Sequence, residues 1–357
     1  MLSSKLTKTV ETSSTQQKMN KDFRKILDSL KEAKEEPRHR NGHVLLVDSL
    51  NTFLRSFVTV HHLNPQGNHI GGLTGFLKSV GHAIRLIDPT RVILVFDGHG
   101  GSTNKRYLYP EYKANRHIAK ISNWDAFDNQ DEESESITNQ IVRLIAYLNC
   151  LPVDLLIIDK VEADDVIGYL AKQFEEKVTI LSTDKDYLQL VSDRVTVYSP
   201  IKKKFYTPKA VTEEFGISPI NFLTHKILLG DKSDNVPGVK GLGLKTLVKI
   251  LPDLKKDELV SIEQIIENSE GKTKKFGDIY NFRNQLLINK QLMDLHNVNL
   301  PEQDIEVINA VIENPRNTLE VANFVKLYNE DRLGNSIPNQ QMWLYDTFNK
   351  LKVVSEK

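Results

Sequence analysis

Four short runs of continuously apolar, β-branched-rich residues mark the first half of the chain: VLLVD (44–48), VILVFD (92–97), VDLLIID (153–159) and VTILSTD (178–184). Between them the apolar positions recur at helical spacing, in LTGFLKSVGHAIRLI (73–87), ITNQIVRLIAYL (137–148) and EADDVIGYLAKQF (162–174). A strand that is apolar throughout is buried on both faces, and strands alternating with helices build βαβ units around a largely parallel sheet. Beyond about residue 207 the strand pattern fades and the chain reads as mostly helical. Ahead of the first strand, residues 1–40 are polar. Within them Phe23, Ile26, Leu27 and Leu30 form one apolar stripe, which predicts a short helix docked on its own domain or ordering on a partner.

This divides the chain into a polar N-terminal arm (1–40), an α/β domain (41–207), a helical region (208–310) and a C-terminal helical tail (311–357). At roughly 150 residues per domain, 357 residues suit two domains with additional chain. An insertion at about 98–136 interrupts the α/β domain. It opens basic and aromatic (KRYLYPEYKANR, 105–116) and continues acidic, with six Asp or Glu and no Lys or Arg over 121–140. A connection of this length inside a domain is ordinarily functional or disordered.

No apolar run approaches the roughly 20 residues of a membrane helix, and the N-terminus lacks the apolar stretch of a secretory signal. The single cysteine, Cys150, excludes an internal disulfide and a cysteine-built metal site, which fits a reducing, cytoplasmic setting. Basic and acidic residues balance at 47 each, which alone disfavours a polyanionic partner.

The acidic residues are unevenly placed. Asp48, Asp97 and Asp184 terminate strand runs, and in open α/β sheets the ligand site lies beyond the carboxyl ends of the strands. Glu162, Asp164 and Asp165 open a helix, Asp184 and Asp186 bracket a turn, and Asp231 and Asp234 lie on the loop GDKSDNVPG. One Asp-x-Asp is ordinarily a cap or a turn. Four acidic motifs at one sheet edge repel one another and need cations. An oxygen-only donor set selects Mg²⁺, with Mn²⁺ as a substitute, and this many carboxylates suggests two or more ions, an arrangement that cleaves phosphodiesters. With nine carboxylates so committed, 47 basic residues stand against 38 acidic ones over the rest of the molecule, a balance compatible with a polyanion.

Two further signals point the same way. In GVKGLGLKTLVKIL (238–251), Gly238, Gly241 and Gly243 punctuate a tight turn between helices, followed by Lys245 and Lys249. Such a turn exposes backbone N–H groups that can hold a phosphate without reading a base. Arg55, Lys113, Arg116 and Lys226 lie in segments leading to or from the acidic edge, where a phosphate chain needs neutralising.

Taken in order, VDSLNTFLRSF, VFDG, YPEYKANR, VEADDVIGYLA, STDKDYLQLV and GDKSDNVPGVKGLG resemble the 5′-nuclease family of flap endonucleases, polymerase 5′-3′ exonuclease domains and bacteriophage ribonuclease H enzymes. The resemblance spans roughly residues 43–300. With no polymerase segment following, it is closest to the stand-alone phage type, which implies a host-cell cytoplasmic location. It implies a PIN-like parallel-sheet nuclease domain whose 98–136 insertion is a helical arch, followed by a helix-hairpin-helix (H3TH) region that grips duplex backbone and holds K⁺ at the glycine hairpin. It also implies a first metal group of Asp48, Asp97, Glu162 and Asp164, and a second of Asp165, Asp184, Asp186, Asp231 and Asp234. Lys113 would contact the scissile phosphate, Arg116 would steer or stabilise it, and Arg55 and Lys226 match phosphate-contacting positions.

The function expected is therefore a Mg²⁺-dependent 5′-3′ exonuclease and flap endonuclease with ribonuclease H activity, removing RNA primers and flaps in DNA replication. Its partners would be duplex DNA or an RNA–DNA hybrid with a 5′ end or flap, with a replication clamp or single-strand-binding protein as further candidates. The enzyme would act as a monomer, away from membranes. The alternatives are a non-catalytic structure-specific DNA-binding protein, or a metal-dependent phosphatase that would need neither arch nor hairpin.

Overall fold

The computed structural model describes residues 39–117, 122–123 and 125–351, the side chains of residues 116 and 117 excepted; the stripe from Phe23 to Leu30 lies outside them. The α/β part runs β1 (His43–Asp48), α1 (Ser49–Thr59), α2 (Gly71–Ile87), β2 (Arg91–Asp97), α3 (Thr103–Leu108), α4 (Gln130–Leu148), β3 (Asp154–Ile158), α5 (Ala163–Gln173), β4 (Lys177–Leu181), a 3-10 turn (Asp186–Leu190), β5 (Val195–Ser199) and β6 (Lys204–Tyr206). The strands form one six-stranded sheet in the order β3-β2-β1-β4-β5-β6. The first five are parallel and β6 is antiparallel to β5.

The apolar runs behave as two-faced strands should. Leu45, Val47, Val92, Leu94 and Phe96 point into a core shared with α1, α2 and α4. Val44, Leu46, Ile93 and Val95 point the other way, into a core with α5 and the 3-10 turn. The strand order reverses between β1 and β4, which pair directly, and this opens the sheet's crevice at their carboxyl ends. Asp48 closes β1 and Asp97 closes β2. In the fourth apolar run the strand ends at Leu181 and a last backbone bond joins Ser182 N to Tyr198 O at 3.3 Å, so Thr183 and Asp184 lie on the loop above the edge. β5 and β6 extend the sheet beyond the four strands that periodicity picks out.

The helical region comprises α6 (Pro208–Phe215), α7 (Phe222–Leu229), the two-residue ladder of β7 (Gly230–Asp231) with β8 (Val236–Pro237), α8 (Leu244–Ile250), α9 (Ile262–Glu267), α10 (Lys274–Asn281) and α11 (Arg283–Met293). Its core is built from Ile227, Leu228, Leu247, Ile265, Ile279 and Leu286. The turn from β8 into α8 is the glycine hairpin. A Cβ on Gly238 would stand 2.1 Å from the carbonyl carbon and oxygen of Leu229, so only glycine lets the two chains approach there.

The chain then runs α12 (Glu302–Glu313), α13 (Val321–Glu330) and α14 (Gln340–Phe348). The described part of this helical tail is built into the α/β core. Phe324, Tyr328, Leu344 and Phe348 are each no more than 2% exposed and complete the α1–α2–α4 core. Their polar neighbours face outward, which is why the segment reads as polar on average. Two latches hold it. Arg91 bonds Asp154 at 2.8 Å and the last-turn carbonyls of α12 at Val311 and Ile312, at 2.7 and 2.9 Å. Asp331 accepts from Arg143 Nε and from the Tyr147 hydroxyl, at 2.8 and 2.7 Å. No helix among the described residues is long and apolar enough to cross a membrane.

Of the 98–136 insertion, the described residues form α3, a 3-10 turn at Ala114–His117 and the first turns of α4, where Asn129 caps the helix by accepting from Glu132 N.

Candidate active site

All nine carboxylates meet at the carboxyl edge of the sheet, linked through shared partners. Asp48 caps α1 and accepts from Ser182 Oγ at 2.9 Å. The same hydroxyl accepts from Asp184 N at 3.0 Å, so one serine ties the ends of β1 and β4 together. Burial pushes the Asp48 carboxyl up to about 7; the Ser182 hydrogen bond opposes this, and the neighbouring charges of Asp97 and Asp184 add to it. Asp97 accepts from Ala163 N at 3.0 Å, so the carboxylate of β2 caps the helix that carries Glu162, Asp164 and Asp165. Beneath them the fully buried Tyr187 is pushed up first by burial, then by Asp48, Asp164, Asp184 and Asp97.

Glu162, Asp164 and Asp165 lie within 4.8 Å of one another, the arrangement among the described residues that most closely resembles a metal-ligating trio. Acids suit a helix N-terminus, but three together repel. Lys105 of α3 resolves the conflict, its Nζ standing 2.8, 3.0 and 3.4 Å from Glu162, Asp165 and Asp164. Burial raises Asp164 and Asp165 above the ordinary carboxylate range even with that ammonium beside them. Burial pushes Glu162 up as well, but Lys105 and Lys113 together hold it below its usual value. Asp165 thus stands with Glu162 and Asp164 here, in contact with the first of the two ligand groups that the family resemblance implies.

A second group forms across the helical region. Lys226 of α7 sits between Asp186 and Asp231, 2.5 Å from each. Burial and the charge of Asp184 raise Asp186. Burial also acts on Asp231, but Lys226 and the Ser233 hydrogen bonds bring it down to about 2. Asp184 accepts from Asp186 N at 2.9 Å, joining this group to the sheet edge.

Lys113 and Tyr112, at the base of the insertion, connect the two groups. The Lys113 ammonium pairs with Glu162 and reaches Asp234 at 4.0 Å. The buried Tyr112 hydroxyl bonds Glu162 at 2.9 Å and Asp234 at 3.2 Å. Three backbone-directed bonds clamp this base onto the GDKSDN loop: Lys113 N to Asp234 O, Asn115 Nδ2 to Lys232 O, and Asn235 Nδ2 to Glu111 O, at 2.8, 3.0 and 2.8 Å.

The other expected residues fall at greater remove. Arg116 lies in the 3-10 turn, its side chain outside the described residues. Arg55 is half-buried on α1, its guanidinium 3.4 Å from Ser79 Oγ of α2, with burial lowering its pKa. Gly238, Gly241 and Gly243 make the hairpin, with Gly241 at a φ of +68°. Lys245 is exposed on α8. Sequence reasoning passed over Lys105, Tyr112, Ser182 and Tyr187. Lys105 and Tyr112 belong to the same basic, aromatic stretch as Lys113, and the only signal for them was that stretch itself.

Among the described residues, nine carboxylates thus gather around the ammonium groups of Lys105, Lys113 and Lys226, an oxygen-only donor set in which lysines already occupy cation positions. That set fits hard divalent ions.

Known proteins match this architecture. The family profile described as 5′-3′ exonuclease, N-terminal resolvase-like domain, matches residues 43–216. The 5′-3′ exonuclease of Bacillus subtilis is 32% identical over 268 residues, covering 72% of this chain and 84% of that protein. DNA polymerase I of the same organism is 31% identical over 257 residues, covering 70% of this chain and 27% of the polymerase. Among solved structures, the bacteriophage T5 flap endonuclease, captured as a pseudo-enzyme-product complex with DNA and metal ions, superposes with a TM-score of 0.58 at 20% identity, covering 82% of this chain and all of that one. By the profile match and by the identity to the Bacillus subtilis 5′-3′ exonuclease across most of both chains, the chain belongs to the 5′-nuclease family of 5′-3′ exonucleases.

Proposed function

We propose that this chain is a divalent-metal-dependent nuclease that hydrolyses phosphodiesters near the 5′ ends of duplex DNA and RNA–DNA hybrids, removing RNA primers and 5′ flaps during replication. The observation that carries the reading is the chain of contacts that links carboxylates of the sheet edge to those of the GDKSDN loop, with Lys105, Lys113 and Lys226 paired among them, at the sheet's switch point and on the loop that leads into the glycine hairpin. Mg²⁺ is the expected ion, with Mn²⁺ able to substitute. Asp48, Asp97, Glu162 and Asp164 would hold one ion, with Asp165, Asp184, Asp186, Asp231 and Asp234 supplying a second. When bound, such ions supply Lewis acidity that ionises water and offsets charge building on the phosphate.

The chain's own groups do the rest. Lys113, fixed at the base of the insertion, would meet the scissile phosphate and stabilise its developing charge, with Arg116 beside it. Lys226 would hold Asp186 and Asp231 in place and neutralise an adjacent phosphate. The hairpin backbone at Gly238–Gly243, with K⁺ and Lys245, would grip the duplex by its phosphates, so recognition rests on shape and not on base sequence. Splitting grip from chemistry in this way suits an enzyme that must act at any sequence. The products would be a 5′-phosphate and a 3′-hydroxyl.

The test is a gel assay on a 5′-labelled RNA–DNA hybrid and a 5′-flapped duplex, each with Mg²⁺ and with chelator. Mg²⁺-dependent release of short 5′ products is expected from both. Binding without cleavage under any divalent ion would overturn the reading in favour of a structure-specific binding protein.

A further inference from the structure

Lys105 is placed unlike any other cation of the site. Its ammonium is paired with three carboxylates, at 2.8, 3.0 and 3.4 Å, and those carboxylates are the trio whose oxygens gather within 4.8 Å. Its side chain is 11% exposed. The short helix that carries it has no buried residue of its own, and beyond the trio its ammonium faces the Tyr112 ring, 6.0 Å from the centroid. Lys113 differs. Its ammonium shares only Glu162 with Lys105, and its backbone is bonded to Asp234.

We propose that Lys105 is an exchangeable internal cation of this trio, which a divalent ion must displace to load. This rests on the metal-dependent reading above. An ammonium and a divalent ion cannot share oxygens this close together without strong repulsion. In the metal-free protein Lys105 neutralises a cluster that would otherwise be costly to bury. On loading, the flexible four-carbon stem lets the amine swing clear of the trio while its helix stays in place. Lys105 is therefore a positioning residue that sets the metal concentration at which the nuclease becomes competent, guarding against activity at low metal.

The test uses the full-length, metal-stripped protein without nucleic acid. Mn²⁺ binding is followed by the paramagnetic resonance of the free ion, in the wild type, in Lys105→Met and in the distant control Lys202→Met. Lys105→Met is expected to melt lower without metal, and to bind its first Mn²⁺ tighter by on the order of tenfold. Lys202→Met should match the wild type. A folded Lys105→Met with unchanged or weaker Mn²⁺ affinity would overturn the proposal. Should that variant not fold, amine acetylation mapped by mass spectrometry on the wild type decides. Lys105 should be protected without Mn²⁺ and become reactive with it. Unchanged protection while Mn²⁺ binds would refute exchange. A wild type that binds no Mn²⁺ at all would instead remove the metal reading beneath it.

Discussion

Lys113 donates its backbone N–H to the carbonyl of Asp234 at 2.8 Å while its ammonium pairs with Glu162 and reaches the Asp234 carboxylate at 4.0 Å. One residue of the insertion is thus held by main chain and side chain to the loop of the helical region. Its φ of +56° lies in the left-handed region, costly for lysine, so this aim is imposed by its surroundings.

The clamp makes Asn235 a positioning residue. Its amide holds the Glu111 carbonyl at 2.8 Å, just ahead of Tyr112 and Lys113. Asn235→Ala should lower the single-turnover cleavage rate by about tenfold while leaving duplex affinity nearly unchanged, since a small misplacement of a reacting group is expensive and the hairpin is untouched. Rapid-quench kinetics beside a binding titration would separate the two; equal losses in both would mean that the clamp only maintains the fold.

Asp184→Asn should abolish cleavage and retain duplex binding. Asp184 is exposed at the sheet edge, and its known contacts run to Ser182 and Asp186, whereas phosphate grip is assigned to the hairpin. A filter-binding assay on the folded variant in which affinity vanishes together with activity would show that the two are not separately supplied.

Stability should depend on pH and metal together. Burial raises Asp48 to about 7 and raises Asp164 and Asp165 as well, so the folded, metal-free protein keeps protons that the unfolded chain releases. Stability therefore falls as pH rises from about 4 to about 7. Asp231, lowered to about 2, acts only in more acidic solution, below its unfolded value of 3.8. Divalent ions replace those protons. Mg²⁺ should raise the Tm by several degrees at about pH 7.5 and far less at about pH 5. Calorimetry giving equal shifts at both would contradict the charge balance described.

Two glycines of the hairpin should respond oppositely. A Cβ at Gly238 meets the Leu229 backbone at 2.1 Å, whereas one at Gly243 meets nothing within 4 Å. Gly238→Ala should cost about 1–3 kcal/mol and weaken duplex binding, because the obstacle is main chain and cannot step aside. Gly243→Ala should behave almost as wild type. Urea melts and a duplex titration on the pair provide the check; a harmless Gly238→Ala would mean that the approach of β7 to β8 is dispensable.

Much of this was legible in the sequence because burial on both faces leaves a distinctive mark. Strands such as Val44–Val47 are apolar at every position, and an aspartate ending such a run can only lie at the sheet's edge. Convergence of the nine carboxylates followed from topology. What stayed hidden depends on the third dimension. Phe324 and Phe348 are scattered apolar residues among polar ones, and only packing shows them as core. Lys105 is one basic residue in a basic stretch until its ammonium is seen among three carboxylates. Lys113's left-handed backbone carries no signal, since lysine is not a residue that announces such a turn.

The late helices carry a consequence for synthesis. The face of the sheet bearing Leu45 and Val47 is closed by Phe324, Leu344 and Phe348, roughly three hundred residues downstream, and Arg91 is latched to the end of α12. On the ribosome, the strands that aim Asp48 and Asp97 emerge long before the helices that cover them. That face of the sheet is closed only once the late helices have left the exit tunnel, so a chain stopped ahead of Phe324 would carry the strands of the acidic edge over an unfinished core.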